Sequence, residues 1–108
     1  MDRKELIRKY KETPRPMGVY AVRNTATGKS FIGSSIDAPS RLNRMRTQLQ
    51  SDLHPNRALQ DDWKRLGADA FELLVLDTLE PSDQPGYDPA EDLQVLEAMW
   101  REKVGELY

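Results

Sequence analysis

The sequence contains no cysteine and no long apolar run. The lack of cysteine excludes a disulfide framework and a zinc site made of thiolates. No stretch reaches the length needed to span a bilayer, and residues 1–5 are mostly charged rather than apolar. We therefore expect a cytoplasmic protein with no membrane partner.

Apolar residues are also in short supply, since 38% of the 108 residues are hydrophobic and 31% are charged. A chain of this length and composition can bury one core. This favours a single domain with a compact two-layer fold over a larger architecture.

The charges are divided unevenly along the chain, although the net charge is only -2. Residues 1–66 carry 14 Lys and Arg against seven Asp and Glu, whereas residues 67–108 carry two against 11. The basic half could follow a phosphate backbone, and the acidic half could repel it or hold a metal ion. The alternative is that the two halves attract each other within the fold.

Two short triplets, Gly18-Val19-Tyr20 and Phe31-Ile32-Gly33, lie at the two ends of a predicted β-hairpin. The polar segment between them contains Gly28 and predicts the turn. Strand alternation places Tyr20 on the face opposite Val19, so its hydroxyl points toward whatever packs over that face.

The remaining periodicity predicts the element order α-β-β-α-α-β-α. The largely apolar segment 71–77 predicts a strand at the centre of the sheet, or the most buried one. Proline, glycine and capping residues predict the ends of the helices. The predicted helices cover residues 2–12, residues 38–50, a segment opening at His54-Pro55 and stopping at Gly67, and a segment starting at Asp88-Pro89.

These features resemble the GIY-YIG nuclease family, a set of small metal-dependent DNA-cleaving domains. The resemblance covers roughly residues 18–101 and rests on the two triplets, Arg41, the helix over residues 56–67, and Glu97 three residues before Trp100. It implies an α+β fold with a three-stranded antiparallel sheet flanked by helices. Residues 1–108 would form one such domain, with a helix and linker in 1–16 and the core in 17–105.

The resemblance also implies an endonuclease that hydrolyses DNA phosphodiester bonds. Glu97 would hold one Mg²⁺ or Mn²⁺ ion, and Arg41 would bind a phosphate oxygen pair through its guanidinium fork. Tyr20 would act as the base or orient the water. A free phenol titrates near ~10, so Tyr20 could be a base only if neighbouring cations lower its pKa.

Further candidate contacts to nucleic acid lie on the hairpin turn and on the helix that follows. Specificity would be low or selective for DNA structure, because no separate recognition domain fits in the chain, and a second copy or a partner protein could be required. The candidate contacts are Lys29, Arg44, Arg46 and His54, with Arg23 as a weaker one.

Each of these residues also has a purely structural interpretation. Tyr20 could fill space on a strand, and Arg41 could be a solvated charge. Glu97 could pair with Arg101 one helical turn away. His54 could be no more than a residue at the start of a helix.

The chain departs from the family pattern at two positions that bear on catalysis. Phe31 replaces the tyrosine of the second triplet, which removes a hydroxyl. Met45 stands where a histidine is typical, and its register with Leu42 and Leu49 predicts core packing. A second hypothesis therefore stays open, in which the chain is a catalytically impaired module that binds nucleic acid or protein.

Overall fold

The computed structural model describes residues 16–108 except 81 and 83. The helix predicted over residues 2–12 lies outside these residues. In chain order the elements are β1 (Met17–Asn24), β2 (Lys29–Ser35), α1 (Ala38–Gln50), α2 (Arg57–Leu66), a 3-10 turn (Ala68–Ala70), β3 (Phe71–Leu79), α3 (Ala90–Lys103) and β4 (Glu106–Leu107). None of the helices in the described part of the chain combines the length and the apolar character that a membrane crossing requires.

The strands form one sheet in the order β3-β1-β2-β4. β1 pairs antiparallel with both β2 and β3, and Tyr20 lies opposite Gly33. The pairing register of β1 with β3 shifts at a β-bulge opposite Val19 and Tyr20, which bends the sheet next to the tyrosine.

Two expectations about the sheet are corrected. The sheet has four strands rather than three, because Glu106–Leu107 pairs in parallel with Lys29 and Ser30. A strand of two residues has no periodicity for a sequence to display. β3 lies at an edge rather than at the centre, and β1 rather than β3 is the most buried strand. Its apolar run arises because side chains from both of its faces pack against core clusters, which an edge strand between two layers of helices also requires.

Local hydrogen bonds fix the starts of the first two helices. The Asp37 carboxylate accepts a hydrogen bond from the backbone N–H of Ser40, and a proline lies in the first turn of α1. The side chain of Asn56 accepts one from the N–H of Leu59, so α2 begins at Arg57 rather than at His54-Pro55. α2 ends at Gly67, whose φ of 86° places it in the left-handed region that glycine tolerates.

The sheet separates two hydrophobic clusters. One contains Tyr20 and Val22 from β1 and is covered by α1 and α2, and the other contains Val19 and Ala21 and is covered by α3. This is the predicted alternation of β1. Met45 is 3% exposed within the first cluster, so its predicted core packing is confirmed.

The helices on the two sides of the sheet differ in charge. α1 carries three arginines and no acidic residue, whereas α3 carries four acidic residues and two basic ones. Because α1 and α3 lie on opposite faces, the basic helix and the acidic helix do not pack on each other. The charge asymmetry of the sequence is thus displayed across the sheet.

Candidate active site

Tyr20 is held in place by the glycine of the second triplet. The phenol is 6% exposed and lies across the backbone of Gly33 on the neighbouring strand. A Cβ atom at residue 33 would collide with the ring and hydroxyl of Tyr20. The absence of a side chain at Gly33 therefore makes room for the phenol.

The electrostatic surroundings of Tyr20 include both of the other predicted catalytic residues. Burial raises the pKa of the phenol above its ordinary value of 10.0; the positive charge of Arg41 lowers it, and the negative charge of Glu97 raises it further. The net pKa shift is upward, so Tyr20 is a neutral phenol at physiological pH. The three residues come from β1, α1 and α3, and both charges act on the hydroxyl.

Glu97 is bound through both carboxylate oxygens. Ser34 donates a hydrogen bond from Oγ to Oε1 at 3.0 Å, and Nε of Arg101 lies 3.3 Å from Oε2. Arg101 also donates a hydrogen bond to the backbone carbonyl of Ile32 at 3.2 Å. The ion pair between Glu97 and Arg101, which is the purely structural interpretation of Glu97, is therefore present.

A hydrogen bond from α3 to β3 fixes the helix that carries Glu97. Trp100 donates from Nε1 to Oδ2 of Asp77 at 3.1 Å. Trp100 lies one helical turn from Glu97, so this contact limits sliding of the helix along the sheet.

Arg41 lies on the exposed side of α1, beside one of the other predicted phosphate contacts. Together with Arg44 it lines an open depression of about 380 Å³, whose other lining residues are Ser35, Asp37 and Ser40. Arg46 lines a different depression, between α1 and β3. The structure thus brings Arg41 and Arg44 together and leaves Arg46 on another side of the helix.

Lys29 lies at the opposite end of β2 from Gly33, about 13 Å away at the usual rise of a strand. Its Nζ lies 5.9 Å from the centre of the Tyr108 ring. Arg23 lines a separate cavity of about 300 Å³ on the α3 face, together with Trp100 and Lys103. Neither cation joins the group around Tyr20.

His54 is only 4% exposed. Its ring meets that of Phe31 edge to face, with centroids 5.5 Å apart, and its Nδ1 accepts a hydrogen bond from the N–H of Asn56. Burial lowers the pKa of the imidazole below its ordinary value of 6.5. This position gives His54 little surface with which to contact nucleic acid.

Sequence reasoning missed Ser34, whose hydroxyl holds one oxygen of Glu97. The available signal was strand alternation, because Ser34 lies two residues after Ile32 and so shares the face that α3 covers. The sequence does not predict how far the Glu97 carboxylate is buried, since this depends on where α3 crosses the sheet.

Glu97 is the candidate ligand for the implied metal ion. Within the part of the chain that the structure describes, no group of three or more His, Cys, Asp or Glu residues could hold a metal. Mg²⁺ commonly uses only one or two protein carboxylates and keeps several waters, so a single glutamate fits its chemistry. The Glu97 side chain is 26% exposed, which leaves the carboxylate accessible from solvent.

The fold is that of a GIY-YIG nuclease catalytic domain, as the sequence predicts. One similar structure is the catalytic domain of the homing endonuclease I-TevI, with 23% identity and a TM-score of 0.65 over 82% of this chain and 87% of that one. A mutant of the catalytic domain of the intron endonuclease I-TevI gives 21% identity and a TM-score of 0.67 over 82% and 84%. No protein-family model and no curated protein sequence matches the chain.

Proposed function

We propose that the chain is a metal-dependent endonuclease that hydrolyses phosphodiester bonds in DNA. The observation that carries this proposal is that Tyr20, held against Gly33, lies within electrostatic reach of both Arg41 and Glu97. The similarity in fold to the catalytic domain of a homing endonuclease supports DNA as the substrate.

Arg41 binds the phosphate in this proposal. It lies on the exposed side of α1 and lines an open depression of about 380 Å³. A guanidinium can donate two parallel hydrogen bonds to phosphate oxygens, which lysine cannot reproduce. Arg44 supplies a second positive charge in the same depression.

Tyr20 orients the attacking water. Because burial raises the pKa of its phenol, Tyr20 keeps its proton and can both accept a hydrogen bond from water and donate one to a phosphate oxygen. This role requires only the neutral phenol, whereas a general base would need a phenolate and therefore a cation at Glu97 that lowers the pKa of Tyr20.

Glu97 holds the metal ion, with Ser34 fixing the orientation of its carboxylate. A bound Mg²⁺ or Mn²⁺ would neutralise charge on the phosphoryl oxygens and lower the pKa of a coordinated water. A cation at Glu97 and the guanidinium of Arg41 would both offset the negative charge of the phosphate.

A nicking assay tests the proposal. Supercoiled, linear, single-stranded and branched DNA would be incubated with Mg²⁺ or Mn²⁺, with Glu97→Gln and Tyr20→Phe as test variants. Glu102→Gln on the same helix and Tyr87→Phe in the preceding loop are the matched controls, since Glu102 is exposed and the Tyr87 hydroxyl donates to Asp92. We expect metal-dependent nicking that both test variants lose and both controls keep.

A second function is favoured by the two departures from the family pattern. Phe31 has no hydroxyl, and Met45 is buried where a histidine is typical, so the site has fewer groups that move protons. In that case the domain binds nucleic acid or protein without cutting. A mobility shift of DNA in EDTA, together with no nicking in the presence of any of the metal ions, would support this second function.

A further inference from the structure

Arg101 occupies the oxygen of Glu97 that Ser34 leaves available. Ser34 donates to Oε1, and the guanidinium of Arg101 lies against Oε2. A cation that binds Glu97 must therefore share the carboxylate with Arg101 or displace it.

Arg101 is itself attached to the sheet. One of its terminal nitrogens donates to the carbonyl oxygen of Ile32, while Nε faces Glu97. One terminal N–H thus connects α3 to β2, while Nε forms an ion pair with Glu97 on the same helix. This attachment keeps the positive charge next to Glu97 even when the ion pair opens.

We propose that Arg101 is a positioning residue that competes with the divalent cation for Glu97 and thereby sets its affinity. The proposal rests on the metal-binding role of Glu97 given above. Arg101 holds the carboxylate in one orientation when no metal is bound and weakens metal binding by charge repulsion and by occupying Oε2.

The exposure of the pair makes the competition measurable. The Arg101 side chain is 50% exposed and that of Glu97 is 26% exposed, so solvent screens the ion pair and a divalent cation can displace it. Removal of the guanidinium should tighten metal binding by about twofold to fivefold, the range expected for the loss of a partly screened ion pair.

Direct Mn²⁺ titration tests this inference, with free Mn²⁺ followed by electron paramagnetic resonance. The proteins are the wild type, Arg101→Met, Glu97→Gln and Lys103→Met. Lys103→Met removes one positive charge from the same helix, but the Lys103 amine lies over the Trp100 ring, 4.9 Å from its centre. We expect tighter binding in Arg101→Met, a change of less than about twofold in Lys103→Met, and loss of binding in Glu97→Gln.

The outcomes separate the inference from the proposed function. Equal Mn²⁺ affinity in Arg101→Met and Lys103→Met would overturn the competition by Arg101, even if the wild type nicks DNA. The expected affinities without nicking would overturn the endonuclease and leave the competition intact. Absence of Mn²⁺ binding in both wild type and Arg101→Met would overturn both.

A second variant covers the case in which Arg101→Met does not fold, as judged by circular dichroism in EDTA. Arg101→Lys keeps the positive charge but replaces the fork with a single ammonium group, which cannot hold Glu97 and Ile32 in the same geometry. Its Mn²⁺ affinity should lie above that of the wild type. An affinity equal to that of the wild type would contradict a role for the fork.

Discussion

The position of the Tyr20 phenol depends on the residue that its ring crosses. Gly33 lies opposite Tyr20 in the hairpin, and any Cβ atom there would occupy the space of the ring and hydroxyl. The sequence shows a glycine in a triplet, but the reason for it, a side chain lying flat on the next strand, becomes visible only in three dimensions.

We predict that Gly33→Ala destabilises the fold by about 1–3 kcal/mol, because the added methyl group overpacks the site. It should also reduce nicking by displacing the Tyr20 hydroxyl. Urea unfolding measures the first effect. Gly105→Ala is the control, since a Cβ atom at Gly105 meets nothing within 4 Å. Equal stability of the two variants would contradict the close approach.

His54 gives stability a dependence on pH. Its imidazole has a lowered pKa in the folded state because it is buried, so the unfolded chain binds a proton more readily. Its contribution to stability is therefore complete above the ordinary pKa of 6.5 and is lost as the pH falls below that value. We predict that the temperature of the thermal midpoint decreases as the pH is lowered from about 7 to about 5.

The matched variant for this prediction is His54→Asn, whose amide oxygen can still accept a hydrogen bond from the N–H of Asn56. Its midpoint should change less over the same pH range. The pKa of Asp62 is also lowered, chiefly by its hydrogen bond with Tyr108. The contribution of Asp62 to stability changes only below its ordinary pKa of 3.8, outside the pH range of this experiment. Identical pH profiles for wild type and variant would show that His54 is not the group responsible.

At the scale of elements, the short strand β4 is secured by the residue that follows it. The Tyr108 hydroxyl donates to Oδ2 of Asp62 at 2.7 Å and accepts from Nδ2 of Asn24 at 2.8 Å. The N–H of Tyr108 donates to the carbonyl oxygen of Ser30. These bonds connect β4 to α2 and to the hairpin turn.

We predict that Tyr108→Phe lowers the free energy of unfolding by about 0.5–1.5 kcal/mol, because two hydrogen bonds are lost while the ring remains. Tyr87→Phe serves as the control, since its hydroxyl donates to Asp92 at an exposed position. Urea unfolding of both variants decides the question. A midpoint for Tyr108→Phe that matches the control would indicate that β4 is docked by backbone bonds alone.

For the molecule as a whole, most nucleic-acid contacts beyond the catalytic residues should lie on the side of the sheet that carries α1. We predict that Arg44→Gln weakens DNA binding evenly across sequences and reduces the slope of log affinity against log salt by about 1, as expected when one phosphate contact is lost. Lys103→Gln, on the α3 side, should leave the slope unchanged. Fluorescence anisotropy over a salt series in EDTA measures both.

Local signals predicted most of this fold. Capping by Asp37, the stop at Gly67 and the alternation of β1 are short-range effects that a sequence displays directly. The edge position of β3 depends on which strands pair at long range, and no short-range pattern encodes that choice.

The motif proposes the residues of the site, but their contacts could not be predicted from the sequence. The motif identified Tyr20, Arg41 and Glu97, whose roles remain predictions. Helix periodicity predicted the ion pair between Glu97 and Arg101 as an alternative to metal binding. The hydrogen bond from Arg101 to the carbonyl of Ile32 could not be predicted, because it depends on how α3 lies across the sheet. Burial, which determines the pKa of Tyr20, likewise arises only from packing.

The basic helix α1 and the acidic helix α3 lie on opposite faces of the sheet, which gives the molecule an electric dipole perpendicular to the sheet. Near a polyanion such a dipole experiences a torque as well as an attraction, so the molecule rotates to present α1 before any contact forms. At 0.1 M salt the field decays over about 10 Å, which limits this rotation to the last stage of approach. Raising the salt concentration should therefore reduce the fraction of collisions that arrive in the right orientation, in addition to weakening the bound complex.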